Sequence, residues 1–108
     1  MPSYSKYDVI LVRYPFSDRS NSKVRPAVVV NNQHPSQDII IVPLTSQISS
    51  LLAGEYILSD WREAGLNVAS AVKRGLFTLH EKLVVKAIGK LSDRDYRELH
   101  LSLQNWLN

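Results

Sequence analysis

Three apolar runs set the pattern of the first half of the chain. Asp8 to Tyr14 (DVILVRY) places Val9, Leu11 and the aliphatic part of Arg13 on one side, with Ile10, Val12 and Tyr14 on the other. Both sides are largely apolar, so the stretch predicts a strand covered on both faces. Ala27 to Val30 (AVVV) and Asp38 to Thr45 (DIIIVPLT) are rich in β-branched residues and predict two more strands. A basic loop, Pro15 to Pro26, is expected between the first two, and Asn31 to Pro35 is turn material. Pro43, near the end of the third strand, predicts an edge or a bulge there.

The second half is made of shorter pieces. Thr45-Ser46-Gln47 predicts a short helical turn through Ser49 and Leu52, with Thr45 or Ser46 as its N-cap. Glu55 to Leu58 reads as a short strand. Ser59 to Gly65 reads as one helical turn, capped by Ser59 or Asp60 and ended by Gly65. Ser70 to Lys73 and Leu76 to Leu79 read as strands around Gly75, His80 to Lys86 has no clear period, and Ala87 to Leu91 is a last extended piece. Ser92 then caps a C-terminal helix, with Asp95 at its third position. An apolar stripe follows at Tyr96, Leu99, Leu103, Trp106 and Leu107. Many short strands and one terminal helix predict a mainly β (α+β) fold, a small half-open β-barrel with the helix packed on it.

Composition adds limits. At 108 residues with 44% hydrophobic content, the expectation is one domain over 1–108. No run of about eighteen apolar residues could span a bilayer, and the first residues, MPSYSKYD, do not resemble a secretory signal. The absence of cysteine excludes a disulfide framework, a thiolate metal site and a thiol nucleophile, and fits a cytoplasmic location. No His/Asp/Glu cluster has metal-ligand spacing and no glycine-rich phosphate loop is present, so no cofactor is expected.

The net charge of +3 is modest, and its placement matters more. Arg13, Arg19, Lys23 and Arg25 stand against Asp18, and Lys73, Arg74, Lys82, Lys86 and Lys90 stand against Glu81. Two basic stretches folded onto one face suit a polyanion such as nucleic acid, and the competing reading is ordinary solvated lysine.

Several stretches together resemble the MazF/PemK-type toxins of type II toxin–antitoxin modules. They are Asp8 to Val12, Pro15-Phe16-Ser17-Asp18, Ser22 to Val30 with its Arg25-Pro26 pair, and Val42-Pro43-Leu44-Thr45-Ser46-Gln47, with Phe77-Thr78-Leu79 and Ile88 to Ser92 further on. The likeness runs from about Tyr7 to the C-terminus. It implies an SH3-like barrel and a homodimeric, metal-independent endoribonuclease that cuts single-stranded RNA, such as mRNA, at short sequences. It also implies neutralisation by an acidic antitoxin protein. The sequence departs from the family pattern twice. Tyr7-Asp8 stands where the family begins its first strand with Gly-Asp. Phe77-Thr78-Leu79-His80 stands where many members have Arg-Thr-aliphatic-Asp, so a second cation is missing there.

Carried over residue by residue, the resemblance makes Arg25 and Thr45 catalytic. Arg25 keeps its charge at ordinary pH and grips phosphate with paired N–H donors, which suits stabilisation of a phosphorane. Thr45 would hydrogen-bond the scissile phosphate or the 2′-oxygen, with Ser46 beside it and His80 as a substitute acid or base. Arg19, Lys23, Gln47 and Arg74 are the expected RNA-binding residues. Each has a plainer reading. Arg25 would be a solvated loop charge, and Thr45 and Ser46 would cap the following turn. His34 is an exposed turn residue, and His100 packs or faces water. Trp61 covers an apolar flank and Trp106 belongs to the core stripe. Two other classes stay open: a non-enzymatic barrel toxin that poisons a protein such as gyrase, similar to CcdB, and a plain nucleic-acid-binding barrel.

Overall fold

The structure is a computed structural model that describes residues 4–14 and 23–108. Three central strands, β1 (Asp8–Tyr14), β2 (Lys23–Val29) and β3 (Asp38–Thr45), pair antiparallel in chain order. Their register puts Val9, Val28 and Val42 side by side on one face, where they join a core with Leu58, Ala64, Leu91 and Leu99. Ile10, Val12, Ala27, Val29, Ile39 and Ile41 fill a second core with Leu79 on the other face. The near-continuous apolar runs of the sequence follow from this, because alternate residues enter different cores.

The remaining elements wrap these strands. They are β4 (Tyr56–Ile57), β5 (Ala71–Val72), β6 (Phe77–His80), a 3-10 turn (Glu81–Leu83), β7 (Val84–Lys90) and the helix α1 (Asp93–Leu107). β7 pairs the free side of β1, with two register shifts that bend it. β6 pairs the first half of β3, from Asp38↔His80 to Ile41↔Phe77, and β5 pairs its end at Leu44↔Val72 and Thr45↔Ala71. Among the described residues β6 and β7 form no ladder with each other, so the sheet is rolled but half open.

Pro43 stands where β3 exchanges one partner strand for the other, not at an edge. Its carbonyl accepts the Lys73 N–H at 2.9 Å, and its missing N–H falls in the gap between the two ladders.

The expected boundaries need three corrections. β2 begins at Lys23, so Arg25 sits in a strand opposite Val12 and not in the preceding loop. Its ladder to β3 begins only at Ala27, so Pro26 has a partner strand on one side alone. The helical turn through Ser49 and Leu52 does not form. Instead the Thr45 hydroxyl accepts the Gln47 N–H, and the Glu55 carboxylate accepts the N–H groups of Leu52 and Arg74, at 2.8 and 2.9 Å, which fixes the loop open. Residues 59–65 do turn, with the Ala64 N–H on the Asp60 carbonyl and Gly65 at φ 87°, but neither Ser59 nor Asp60 caps by its side chain.

Asp95 holds this turn. It is fully buried, and its carboxylate accepts the backbone N–H groups of Ser59 and Asp60, at 2.9 and 2.8 Å. The Asp60 carboxylate in turn accepts the Ser92 hydroxyl at 2.6 Å and the Arg94 guanidinium at 2.8 Å, and these donors hold it below its usual pKa. Ser92 caps α1 as expected by accepting the Asp95 N–H. Leu99 is buried, Tyr96, Leu103 and Trp106 pack on the same core, and Leu107 stays exposed at the helix end.

Tyr7, where the resemblance implies a glycine, has a φ of 75°, a glycine-type conformation. Its ring compensates. It stacks on Tyr96 with centroids 4.7 Å apart, its hydroxyl meets His100 Nε2, and its carbonyl accepts the Leu91 N–H. Among the described residues no helix is long and apolar enough to cross a membrane.

Candidate active site

The apolar face bearing Val9, Val28 and Val42 continues beyond its cover. The next cross-strand pair, Leu11 and Pro26, lies with Leu44 in the floor of an open hollow of about 430 Å³. The segment from Gly65 to Ser70 forms one wall, and Lys86 and Ile88 of β7 form the other. A second hollow of about 400 Å³ is lined by Pro43, Gln47, Lys73 and Phe77. The two hollows share Arg25, Leu44, Thr45 and Ser46, which therefore form the ridge between them.

Each ridge residue is set by the strands. Arg25 lies opposite Val12 near the start of β2 and is exposed. Thr45 is the last residue of β3 and is held against the buried Ala71 of β5. Its oxygen accepts the Gln47 N–H at 3.1 Å, which tightens the exit from the strand and leaves the hydroxyl hydrogen to donate elsewhere. Lys73, one residue past β5, is anchored by its backbone to Pro43. The Glu55 carboxylate that fixes Arg74 from behind lies below its usual pKa, chiefly because it accepts the Leu52 and Arg74 N–H groups.

The charge is one-sided. Arg25 and Lys86 line the first hollow, Arg25 and Lys73 the second, and no carboxylate appears among the described residues lining either. A backbone phosphate on the ridge would meet a guanidinium, a threonine hydroxyl and a serine, with an ammonium group on each side.

The structure thus brings Arg25, Thr45, Ser46 and Gln47 together. It puts His80 elsewhere: His80 pairs with Asp38 at the opposite end of β3 from Thr45, on the order of 20 Å away at about 3.3 Å per residue. Its Nδ1 accepts the Lys82 N–H as the cap of the 3-10 turn. Arg74 lines a separate small hollow with Gly75, Leu76, Trp106 and Leu107. Arg19 and the Lys23 side chain lie outside the described residues. Sequence reasoning treated Lys73 and Lys86 only as members of a basic stretch. For Lys73 the signal was its place just after the buried pair Ala71-Val72, but nothing local marked residues 65–70 as a wall. Among the described residues no group of three or more His, Asp or Glu is placed to hold a metal.

Three solved structures share this fold. An endoribonuclease in complex with its cognate antitoxin, from a mycobacterial species, superposes with a TM-score of 0.75 at 14% identity, covering 99% of this chain and 95% of its own. The Mycobacterium tuberculosis toxin MazF-mt6 gives 0.73 at 18% identity, with 93% and 95% covered. A further mycobacterial endoribonuclease gives 0.75 at 14% identity, with 99% and 93% covered. No curated protein matches the chain. The family pattern of the PemK-like, MazF-like toxins of type II toxin–antitoxin systems spans residues 5–107, and the chain belongs to that family.

Proposed function

We propose that the protein is a metal-independent, sequence-selective endoribonuclease toxin that cleaves single-stranded RNA and is neutralised by an acidic antitoxin. The observation that carries this reading is the ridge of Arg25, Thr45 and Ser46 between two hollows lined by cations and, among their described residues, by no carboxylate. Family membership supports it. So do the neighbouring folds, two of which are endoribonucleases, one held by its cognate antitoxin.

In this reaction the 2′-oxygen attacks the adjacent phosphorus as its proton leaves. The 5′-oxygen then departs and takes up a proton, giving a 2′,3′-cyclic phosphate and a 5′-hydroxyl. Charge accumulates on the non-bridging oxygens of the phosphorane. Arg25 meets that charge with two N–H donors in a fixed plane. Thr45 donates its hydroxyl hydrogen to the same phosphate, since its oxygen already serves the Gln47 N–H. Ser46 adds a further donor. Lys73 and Lys86 hold the neighbouring phosphates, so the strand crosses the ridge from one hollow to the other.

The antitoxin is an acidic segment that covers these same cations. The toxin acts in the cytoplasm as a homodimer. The test is incubation of the protein with a long single-stranded RNA, with and without EDTA, followed by end analysis of the products and sedimentation of the protein. Fragments ending in cyclic phosphate in both reactions, from a species of twice the chain mass, support the reading. Intact RNA, or cleavage abolished by the chelator, contradicts it.

A further inference from the structure

The β4–β5 ladder ends at the pair Tyr56↔Val72, and one side chain carries it further. Past Val72, the Lys73 N–H turns to the Pro43 carbonyl of β3. The next N–H, that of Arg74, goes to a carboxylate oxygen of Glu55, the residue just before β4, at 2.9 Å. The other Glu55 oxygen accepts the Leu52 N–H at 2.8 Å. Glu55 thus ties the chain at Lys73 and Arg74 to the turn at residues 52–55.

That turn is itself seated on α1. The hydroxyl of the buried Ser102 donates to the Gly54 carbonyl at 2.7 Å, and the Trp106 indole N–H donates to the Ala53 carbonyl at 3.3 Å. A Cβ on Gly54, whose φ is 83°, would strike the Trp106 ring. Leu99 fixes α1 in the core. A continuous line of contacts therefore runs from the core through α1, the turn and the Glu55 carboxylate to Lys73. Lys73 lines the second hollow beside the Arg25–Thr45 ridge, whereas Glu55 lines neither hollow.

We propose that Glu55 is a positioning residue for RNA, holding Lys73 where its ammonium group meets the phosphate next to the scissile one; this rests on the ribonuclease reading above. The reach of a flexible lysine is set by where its backbone is held, and small displacements of a positioning group are costly. Charge alone predicts the opposite effect. The Leu52 and Arg74 N–H groups hold the Glu55 carboxyl below its usual range, and the charges of Lys73 and Arg74 add to this. Removing the Glu55 charge would make the hollow more positive and tighten polyanion binding, by a few-fold at most for such solvent-screened groups. Loosening Lys73 would weaken binding instead, so the two effects differ in sign.

The test is steady-state cleavage of a short single-stranded RNA spanning the site cut fastest in a long transcript, by wild type, Glu55→Gln, Glu55→Asp, Lys73→Ala and the Glu55→Gln/Lys73→Ala double variant. Glu55→Gln keeps one acceptor oxygen and turns an amide donor toward the other N–H. It should raise KM about 3- to 10-fold and leave kcat within about twofold. Glu55→Asp keeps the charge but is one methylene shorter and cannot hold both N–H groups, so it should raise KM as well. With Lys73→Ala already in place, Glu55→Gln should raise KM no further.

An unchanged or lowered KM in Glu55→Gln overturns the proposal. So does an equal rise with and without Lys73, which would make the carboxylate a matter of general stability. A wild type that cuts no RNA overturns the ribonuclease reading instead. The same cycle is then read as the Kd of that RNA by fluorescence anisotropy. The same ranking supports the role of Glu55, and a different ranking or no binding overturns it.

Discussion

Gly65 and Gly89 meet backbone to backbone, each lying where the other's chain leaves no room for a side chain. A Cβ on Gly89 would collide with the Ala64 carbonyl, and one on Gly65 would collide with the Ile88 carbonyl. This contact seats the turn at residues 59–65 on β7, and Gly65 and Leu66 go on to wall the first hollow. Gly89→Ala is therefore expected to cost about 1–3 kcal/mol through overpacking. Gly65→Ala is expected to cost about 1 kcal/mol more, because φ 87° also penalises a side chain. Thermal unfolding measures both, and a Gly89→Ala protein that melts with the wild type removes the contact from the account.

Asp95 fixes the other end of the same turn. Asp95→Ala leaves the Ser59 and Asp60 N–H groups without their acceptor in a part-buried position, an expected loss of about 3 kcal/mol. Asp95→Asn keeps one acceptor oxygen and should lose less. Denaturant titration ranks the two, and a loss under about 0.5 kcal/mol for Asp95→Ala would show that the turn is held by other contacts.

At Tyr7 backbone and side chain pull in opposite directions. Tyr7→Gly relieves a glycine-type φ but loses the stack on Tyr96, whereas Tyr7→Ala loses the stack and keeps the strain. Both should be less stable than wild type, with Tyr7→Ala below Tyr7→Gly by about 1 kcal/mol. The reverse order in equilibrium unfolding would mean that the backbone at Tyr7 is unstrained.

The strands and the helix were legible where one local signal decided them. Val9 to Val12, Ile39 to Val42 and the Ser92 cap with the Leu99 stripe each carry their own period or cap. What was not legible depends on partners distant in sequence. Lys23 to Pro26 reads as loop until Leu11 to Tyr14 is laid beside it. Thr45 reads as a helix cap because the Glu55 bonds that hold the following loop open cannot be seen in the local pattern. The Arg25–Thr45 pairing was reached through family likeness alone, since no spacing rule joins an arginine on one strand to a threonine on the next. His80 and Arg74 are near Phe77 in sequence, but β6 carries His80 to the far end of β3 and Arg74 lines a different hollow.

The central claim is that Arg25 and Thr45 act on a phosphate lying on their shared ridge. Its most direct measurement is the single-turnover rate of RNA cleavage by wild type, Arg25→Ala, Arg25→Lys and Thr45→Ala, each with and without EDTA. Arg25→Ala should slow cleavage by about a hundredfold or more. Arg25→Lys should recover little, because a point charge lacks the planar pair of donors. Thr45→Ala should slow cleavage by less, and the chelator should change none of the rates. RNA binding by Arg25→Ala should fall only modestly, since Lys73 and Lys86 remain. A wild-type rate in folded Arg25→Ala would contradict the account.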